Sequence, residues 1–415
     1  MIKMYVNLSN LAGAVFLQAG NFLVPVALLP ILISSLGISG YGTFSYVYAI
    51  IQYFILLTDW GFILSATRQI SLQRQDRKLI SRIFWTTVFA RTFLCALCYL
   101  SLEVGCLFFG VSPNIYRWAF LVVCASAISP VFFYQGLEEL GKISLISSVI
   151  KILSIPMVWL TVKNLDDLIL AIAIYGIFTF LASLIILFYL LKSRKIDAPV
   201  FGEIDIFSSL KDSWPLFLST ASVSLYTNSN LVILGLMVNS AAVGIFSGAI
   251  TIIRVFQGVY QPAAQVFFPK ISHAFSKGLQ SGADIFRFIF FWQGLFTFFA
   301  SIFLYTFGPK IMLLMTGSES TISDSIIRLM SPLIFLTGLS NIFGIQGMVS
   351  LGYNLEFKRI LLMSGILNII LTIPLSYYLE VQGTALSTLI TELVITIAMG
   401  LFLYRRQPVL FKVHF

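Results

Sequence analysis

Residues 168–191 have the sequence LILAIAIYGIFTFLASLIILFYLL, which contains no charged side chain. A helix crosses the hydrocarbon core of a bilayer with about 20 apolar residues, so this stretch predicts a transmembrane helix. Similar stretches, bounded by charged residues or by Gly, Pro and Asn turns, fill most of the chain. Together they lie at residues 8–33, 41–65, 82–108, 115–135, 143–163, 168–191, 213–237, 243–268, 285–307, 326–351, 358–378 and 383–404. The sequence therefore predicts an all-α integral membrane protein with about twelve transmembrane helices.

The composition agrees with this fold class. Of the 415 residues, 58% are hydrophobic and 10% are charged, whereas soluble domains carry about 25% charged residues. A soluble globular protein is therefore excluded. Twelve crossings with short turns also leave no room for a large domain outside the membrane.

Lysine and arginine are distributed unevenly between the two sides of the predicted helices. One set of connections, which includes Arg74, Arg77, Lys192 and Arg194, carries 19 of the 26 basic residues. The opposite connections carry only Arg117, Lys163, Lys310 and Arg328. Because basic connections stay in the cytoplasm, we expect both termini there, with residues 8–33 as a retained first helix rather than a signal peptide. The net charge of +9 follows from this topology and does not require a nucleic-acid partner.

The connection between the sixth and seventh predicted helices divides the chain near its middle. It is rich in charged residues, which predicts a solvated cytoplasmic linker at 197–212 between lobes at 1–196 and 213–415. A shift of 202 residues aligns Gly42 with Gly244, Ser45 with Ser247, and the apolar residues that follow. With six helices in each half, this similarity predicts a parallel repeat, as in transporters built from two bundles.

Motifs for nucleotides and metals are incomplete. Residues 136–142, GLEELGK, have the spacing of a phosphate-binding loop, but Ile143 stands where Ser or Thr would hold Mg²⁺. Cys95 and Cys98 have the spacing of a metal or redox pair, but both histidines lie far away along the chain. We therefore expect no metal, nucleotide or other cofactor.

Enzyme chemistry is also not expected. Membrane enzymes that polymerise or transfer sugars commonly carry their reacting groups on long outward loops. The longest predicted outward connection here, residues 308–325, contains just two acids, Glu319 and Asp324. The sequence therefore predicts a protein that is not an enzyme.

Polar and charged residues inside the predicted helices are the candidates for function, because each charged group costs about 2.5–3.5 kcal/mol at the bilayer centre on insertion scales. The basic ones are Arg91, Lys151 and Arg254. Among the acids, Glu392 is central, whereas Asp59 and Glu103 lie toward the two interfaces. The centre of the membrane region is therefore predicted to be net positive. For Arg91, pairing with Glu103 or with backbone carbonyls is the alternative to a functional role.

The eighth predicted helix carries a polar stripe. Arg254, Gln257, Gln261 and Gln265 recur at i, i+3, i+7 and i+11, which puts them on one helix face. Shorter stripes on predicted helices one, two and seven contain Gln18, Asn21, Gln52, Asp59, Thr220, Ser224 and Asn228. We expect these four helices to face a common polar cavity. The alternative is that the amides are hydrogen-bonding groups between helices, each contributing about 0.6 kcal/mol.

A cationic, amide-lined cavity suits an anionic ligand with a polar, sugar-like body. The predicted substrate-binding residues are Arg254, Lys151, Arg91, Gln257, Gln261, Asn228, Gln18, Asn21 and Gln52. Asp59 and Glu392 are the candidates for ion coupling.

Several short motifs, taken in order, resemble one family. The first half contains Pro25, Leu36-Gly37, Gly40-Tyr41-Gly42, Phe44, Gly61 and Thr67-Arg68, with Gln135-Gly136 at the end of the fourth predicted helix. The second half contains Val243-Gly244, Phe246, Arg254, Gln257-Gly258, Pro262 and Phe268-Pro269-Lys270-Ile271-Ser272. In order and spacing the chain resembles the Wzx-type lipid-linked oligosaccharide flippases of the multidrug, oligosaccharidyl-lipid and polysaccharide (MOP) exporter superfamily, which include MATE-like proteins.

The resemblance implies a bacterial inner-membrane protein that flips undecaprenyl-diphosphate-linked O-antigen repeat units from the cytoplasmic to the periplasmic leaflet by alternating access. It implies the lipid-linked oligosaccharide and membrane lipids as partners, with an O-antigen polymerase and a chain-length regulator as further candidates. Ser34 and Leu137 occupy positions where many members have a basic residue. If those basic residues handle phosphate elsewhere in the family, Arg254 is the candidate here.

Two other functions stay open at this point. A drug or cation antiporter of the same superfamily should have a net acidic cavity, which the excess of Arg and Lys opposes. A membrane polysaccharide polymerase should have a long periplasmic loop with Arg or His, which the predicted connections do not provide.

Overall fold

The computed structural model describes the backbone of residues 8–200, 202, 204–317 and 320–411. Within these ranges it describes all side chains except those of residues 8–23, 219, 222–223, 225–226, 262–263 and 265–266. The described residues contain no β-strand. Their helices are α1 (Leu8–Asp59), α2 (Phe62–Leu72), α3 (Arg77–Phe109), α4 (Asn114–Ile128), α5 (Val131–Gly136), α6 (Leu140–Ile152), α7 (Ser154–Thr161), α8 (Leu168–Lys192), α9 (Ile206–Met237), α10 (Ser240–Lys277), α11 (Leu279–Thr316), α12 (Thr321–Met330), α13 (Pro332–Asn341) and α14 (Asn354–Arg406).

Shorter helical segments extend or connect these α-helices. A π-helical segment, Ile342–Val349, continues α13, and 3₁₀ turns lie at Leu165–Asp167 and Pro408–Phe411. The prediction of an all-α membrane protein is confirmed.

Nine helical stretches of the described chain are long and apolar enough to cross a membrane. Two of them, residues 24–72 and 354–406, contain 49 and 53 residues, about twice the length of one crossing. Each contains a residue with a non-helical backbone conformation. Gly37 has φ 72° within α1, and Glu380 has φ 50° within α14. The stretch 354–406 contains two of the predicted helices, and the stretch 24–72 contains the second predicted helix and the end of the first. The 32-residue α9 covers the predicted seventh helix.

The stretch 24–72 turns a second time between α1 and α2, at Trp60 and Gly61. Trp60 and Gly61 both have positive φ, 46° and 79°. A Cβ on Gly61 would lie 2.7 Å from the backbone nitrogen of Phe217, so both the conformation and the space require glycine.

The chain folds as two compact units. Unit 1 comprises Met1–Leu36 and Tyr46–Ser224, and unit 2 comprises Gly37–Ser45 and Leu225–Phe415. The core of unit 1 is built from α2, α3, α5, α6 and α8, with Phe84, Phe132 and Phe133 at its centre. The core of unit 2 is built mainly from α10, α11, the π-helical segment and α14, with Phe286 and Met399 buried. The lobes at 1–196 and 213–415 stay a prediction.

Within unit 2, the residues that a 202-residue shift aligns pack against one another. A Cβ on Gly42 would lie 1.7 Å from the Ser240 carbonyl oxygen, and a Cβ on Gly244 would lie 2.2 Å from the Ile38 carbonyl oxygen. The Ser247 hydroxyl donates a hydrogen bond to the Ser45 hydroxyl at 2.9 Å. Small residues therefore let the backbones of α1 and α10 approach closely here.

Candidate functional site

Unit 2 contains a polar pocket between α9, α10 and α14, with a volume of about 140 Å³. Its lining combines one cation, one carboxylate, amides, hydroxyls and apolar side chains. These residues are Thr227, Asn230, Leu231, Phe246, Ile250, Ile253, Arg254, Gln257, Asn368, Thr388, Thr391 and Glu392. The pocket brings together three of the predicted functional residues, namely Arg254, Gln257 and Glu392.

Arg254 places a positive charge in this pocket. It lies in the candidate span Ser240–Gln261, about 21 Å along the helix from Ser240 at 1.5 Å per residue. Its side chain is exposed, and none of the six ion pairs in the described part of the chain includes it. A guanidinium at this depth without a carboxylate partner among the described residues is available to an anionic ligand.

Glu392 lies on α14 and lines the same pocket. It is half-buried, and its Oε1 accepts a hydrogen bond from the Ser340 hydroxyl of α13 at 2.5 Å. No basic side chain of the described chain forms an ion pair with it. The pocket therefore holds two opposite charges that do not neutralise each other through direct contact.

Amide and hydroxyl groups form the polar wall of the pocket. Asn230 Nδ2 donates to Thr388 Oγ1 at 2.8 Å, and Thr372 Oγ1 donates to Asn230 Oδ1 at 3.0 Å. Asn368 Nδ2 donates to Thr391 Oγ1 at 3.1 Å, whereas its buried Oδ1 has no hydrogen-bond partner among the described residues. These bonds hold α9 to α14 and orient the two asparagines.

Gln257 follows Arg254 by one helical turn on α10. Its Nε2 donates to Thr337 Oγ1 of α13 at 3.2 Å. Gln261, one further turn along, does not line the pocket. The side chain of Gln265 lies outside the described residues. The predicted stripe therefore contributes its first two members to the pocket.

Arg91 has a different environment, in unit 1. Its side chain is 3% exposed and forms an ion pair with Asp59. Nη1 also faces the carbonyl oxygens of Ser126 and Ser129, at 3.5 and 3.4 Å, and the guanidinium carbon lies 4.9 Å from the centre of the Phe132 ring. The charges of Arg91 and Asp59 are thus directed at each other.

The sequence analysis offered two structural partners for Arg91, backbone carbonyls and Glu103, and only one of them is confirmed. Contact with backbone carbonyls is present, but pairing with Glu103 is wrong, because Glu103 pairs with Arg117 at 2.7 Å. Arg117 lies in the first turn of the next helix, α4, so it meets Glu103 across the short turn that joins α3 to α4.

The other predicted residues lie outside the pocket. Lys151 is half-buried in unit 1, at the end of α6 just before the helix breaks at Leu153. Gln52 is exposed on α1, and Asn228 is half-buried on α9. The side chains of Gln18 and Asn21 lie outside the described residues. Their roles stay predictions.

Five polar residues of the pocket were missed by sequence reasoning, namely Thr227, Asn230, Asn368, Thr388 and Thr391. A signal was present on α14, because Thr384, Thr388 and Thr391 recur at i, i+4 and i+7. Asn230 was overlooked because the predicted stripe on α9 followed Asn228, and residues two apart point to nearly opposite sides of a helix.

Comparisons with known proteins agree with this architecture. A protein of Escherichia coli (strain K12) named as an O-antigen transporter is 27% identical over 368 residues, which is 88% of this chain and 89% of that protein. The structure of the lipid II flippase MurJ in an inward closed conformation has a TM-score of 0.70 at 16% identity, with 93% of this chain and 87% of that chain covered. The MATE multidrug transporter DinF-BH has a TM-score of 0.67 at 15% identity, with 99% and 98% covered.

The relatives are named as transporters or flippases, which agrees with the prediction that the chain is not an enzyme. Residues 8–275 match the family described as "Polysaccharide biosynthesis protein". Since this match covers well over half of the 415 residues, the chain belongs to the polysaccharide biosynthesis protein family, with the fold of MATE-like transporters of the MOP superfamily.

Proposed function

We propose that this membrane protein is a flippase that moves undecaprenyl-diphosphate-linked O-antigen repeat units from the cytoplasmic to the periplasmic leaflet. The observation that carries the proposal is Arg254, an accessible guanidinium at membrane depth with no ion-pair partner among the described side chains. The family match, the O-antigen transporter name of the Escherichia coli relative and the flippase name of a fold neighbour support the same substrate class.

The chemistry of the cargo explains why such a pocket is useful. A diphosphate and its sugars are strongly hydrated, so they cross hydrocarbon only along a polar path. A guanidinium binds two phosphate oxygens at once, which makes Arg254 suited to the diphosphate. The pocket volume of about 140 Å³ is small beside an oligosaccharide. We therefore assign the pocket to the anionic neck of the cargo and leave the glycan outside it.

The flip breaks no covalent bond, so the proposed cycle is alternating access without an enzymatic step. Ion coupling is assigned to Glu392 rather than to Asp59. Asp59 is already paired with Arg91, whereas Glu392 has the Ser340 hydroxyl as its hydrogen-bond donor. A proton on Glu392 would remove the negative charge that opposes an anionic cargo in the same pocket.

The location and the partners follow from the same proposal. We place the protein in the bacterial inner membrane with both termini in the cytoplasm. Its partners are the polyprenyl-diphosphate glycan and membrane lipids, with an O-antigen polymerase and a chain-length regulator acting on the product.

A drug or cation antiporter is the second candidate, and the observation that favours it is the carboxylate of Glu392 in the pocket. The two functions differ in the sign of the cargo. Cells that express the chain should not gain resistance to cationic dyes if it is a flippase, whereas an antiporter would export them.

Complementation tests the proposed function directly. In a strain that lacks its own O-antigen flippase, the chain should restore surface O-antigen and remove the lipid-linked repeat unit that accumulates in the cytoplasmic leaflet. The strain should carry the O-antigen genes that accompany this chain, because the sugar composition of the cargo is fixed by them. A chain that is present in the membrane but leaves the repeat unit in the cytoplasmic leaflet would contradict the proposal.

A further inference from the structure

A second cavity lies at the beginning of α3, away from the pocket that contains Arg254. Its volume is about 290 Å³, close to the lower end of the range of about 300–1,000 Å³ for small-molecule sites. One wall is a face of α3, and the other is the connection between α8 and α9. The lining residues are Lys78, Ser81, Arg82, Trp85, Asp197, Ala198, Val200 and Ile204.

The two walls are joined by specific hydrogen bonds. Trp85 Nε1 donates to the Asp197 carbonyl oxygen at 2.8 Å, and the Asp197 backbone N–H donates to Ser81 Oγ at 2.9 Å. The Ser81 hydroxyl in turn donates to the Arg77 carbonyl oxygen at 2.6 Å. The connection is therefore held against α3, and the cavity has two defined walls.

The described side chains that line this cavity carry a net positive charge. The Asp197 carboxylate forms an ion pair with Arg77 at 2.7 Å, so its negative charge is already balanced. Lys78 and Arg82 add two cations to the lining. Arg82 also lines an adjoining cavity with Asp205 and Asp212, whereas Lys78 does not. Lys78 is therefore the cation that lines this cavity without also lining the cavity that contains the two acids.

On the opposite wall, the described lining residues other than Asp197 are apolar, namely Ala198, Val200 and Ile204. The Trp85 indole joins this connection to α3 through its hydrogen bond to the Asp197 carbonyl oxygen. Because α3 is a candidate span that begins at Arg77, the cavity lies at the end of a membrane helix, where tryptophan and basic side chains are typical of the headgroup region. An anion with an apolar body fits both walls, whereas a soluble anion would use only one.

We propose that this cavity binds the phosphate headgroup of an anionic phospholipid. The phosphate contacts Lys78, and the apolar part of the lipid contacts Val200 and Ile204. Bound lipid would then bridge α3 and the connection that precedes α9. Under the proposed topology this lipid belongs to the cytoplasmic leaflet, but its binding does not rest on the proposed transport function.

Native mass spectrometry of the full-length protein in detergent tests the proposal. Phosphatidylglycerol should bind at one site of higher affinity, and Lys78→Gln should weaken that site about tenfold, because the charge-assisted hydrogen bond to the phosphate is lost. Phosphatidylcholine, which carries no net charge, should not distinguish the variant from the wild type. Lys192→Gln removes the same charge on α8 outside the cavity lining and is the matched control.

Two results would overturn the proposal. The first is equal affinity for phosphatidylglycerol in the wild type and in Lys78→Gln, or an equal loss in Lys192→Gln. The second is displacement of the lipid by millimolar inorganic phosphate, which would assign the cavity to a soluble anion. A Lys78→Gln variant that loses the lipid but still restores surface O-antigen would support the site and show that it is separate from cargo binding.

Discussion

At the scale of single residues, two arginines at membrane depth have opposite surroundings. Sequence reasoning identified both and gave both the same predicted role. Arg91 is buried against Asp59, Phe132 and two carbonyls, whereas Arg254 is exposed to a pocket. The difference depends on which helices pack together, and helix periodicity contains no information about that. This is why the cations could be predicted and their partners could not.

Arg254 should be needed for transport rather than for folding. Lysine keeps the charge but loses the planar fork that binds two phosphate oxygens, and alanine loses both. Surface O-antigen should therefore fall in the order wild type, Arg254→Lys, Arg254→Ala, at unchanged protein level in the membrane. An Arg254→Ala variant with normal level and full activity would exclude the role in phosphate binding.

Arg91→Ala should give the contrasting result and serves as the matched control. It leaves the Asp59 carboxylate in a site where the pair is almost fully enclosed, and breaking a buried ion pair costs about 3–5 kcal/mol. We expect a clear loss of thermal stability in detergent and of protein level in the membrane. The double variant Arg91→Met with Asp59→Leu should recover much of the stability, because no uncompensated charge is left. Normal stability in Arg91→Ala would show that the pair is not structural.

Glu392→Gln tests the proposed coupling to protons. The amide can still accept the hydrogen bond from Ser340, so the fold should be kept while titration is lost. In proteoliposomes, a pH gradient should accelerate flipping by the wild type and should have no effect on Glu392→Gln. Asp59→Asn is the comparison at the other predicted acid. Because it also breaks the pair with Arg91 and so lowers stability, flipping is compared per folded protein, and its response to the gradient should persist. Equal acceleration in the wild type and in Glu392→Gln would end the assignment to Glu392.

At the scale of elements, the residues that the weak internal repeat aligns form the contact between α1 and α10. The aligned residues Gly42 and Gly244, and Ser45 and Ser247, lie in one tight helix contact within unit 2. The sequence predicted that these segments are equivalent. It could not predict that they touch, because a repeat indicates similar local structure without saying which surfaces meet.

Gly42→Ala should therefore be strongly destabilising. The added Cβ would lie 1.7 Å from a backbone oxygen of α10, which no side-chain rearrangement can relieve. We expect a lower melting temperature and little protein in the membrane. Gly105→Ala is the control, since that glycine also lies within a helix but has no atom within 4 Å of the added Cβ. Similar stability of both variants would mean that α1 and α10 do not approach this closely.

Helix ends also differ in how well they could be predicted. The break at Gly37 coincides with a glycine between two predicted helices, where the left-handed conformation is easily adopted. The break at Glu380 has a similar φ without a glycine at that position. Long apolar stretches thus predict accurately that a membrane-spanning helix exists. The residue at which one span turns into the next depends on packing, which the hydrophobic pattern does not contain.

At the scale of the whole molecule, the fold class needed only composition and apolar segments. Backbone buried in lipid must form its hydrogen bonds internally, and apolar stretches of about 20 residues satisfy this as helices. Twelve such helices were predicted, and the described chain contains nine helical stretches long enough to cross a membrane, two of them about twice that length. The pocket of unit 2 was less accessible to sequence reasoning, because Asn230 on α9 and Asn368 on α14 lie far apart in sequence and meet only in the folded unit. The candidate site could thus be predicted in its charges but not in its amide wall.

The orientation in the membrane provides the last prediction. Nearly all connections rich in Lys and Arg fall on one predicted side, and each basic side chain there would be costly to move across a bilayer. Reporters fused after Arg194, Lys277 and Arg406, which follow or end α8, α10 and α14, should therefore report a cytoplasmic location. Reporters after Asn239 and Gly317, which lie just before α10 and just after α11, should report the periplasm. Because α10 and α11 separate these sites by one helix each, an inverted signal at either periplasmic position would contradict the proposed topology and, with it, the direction of transport.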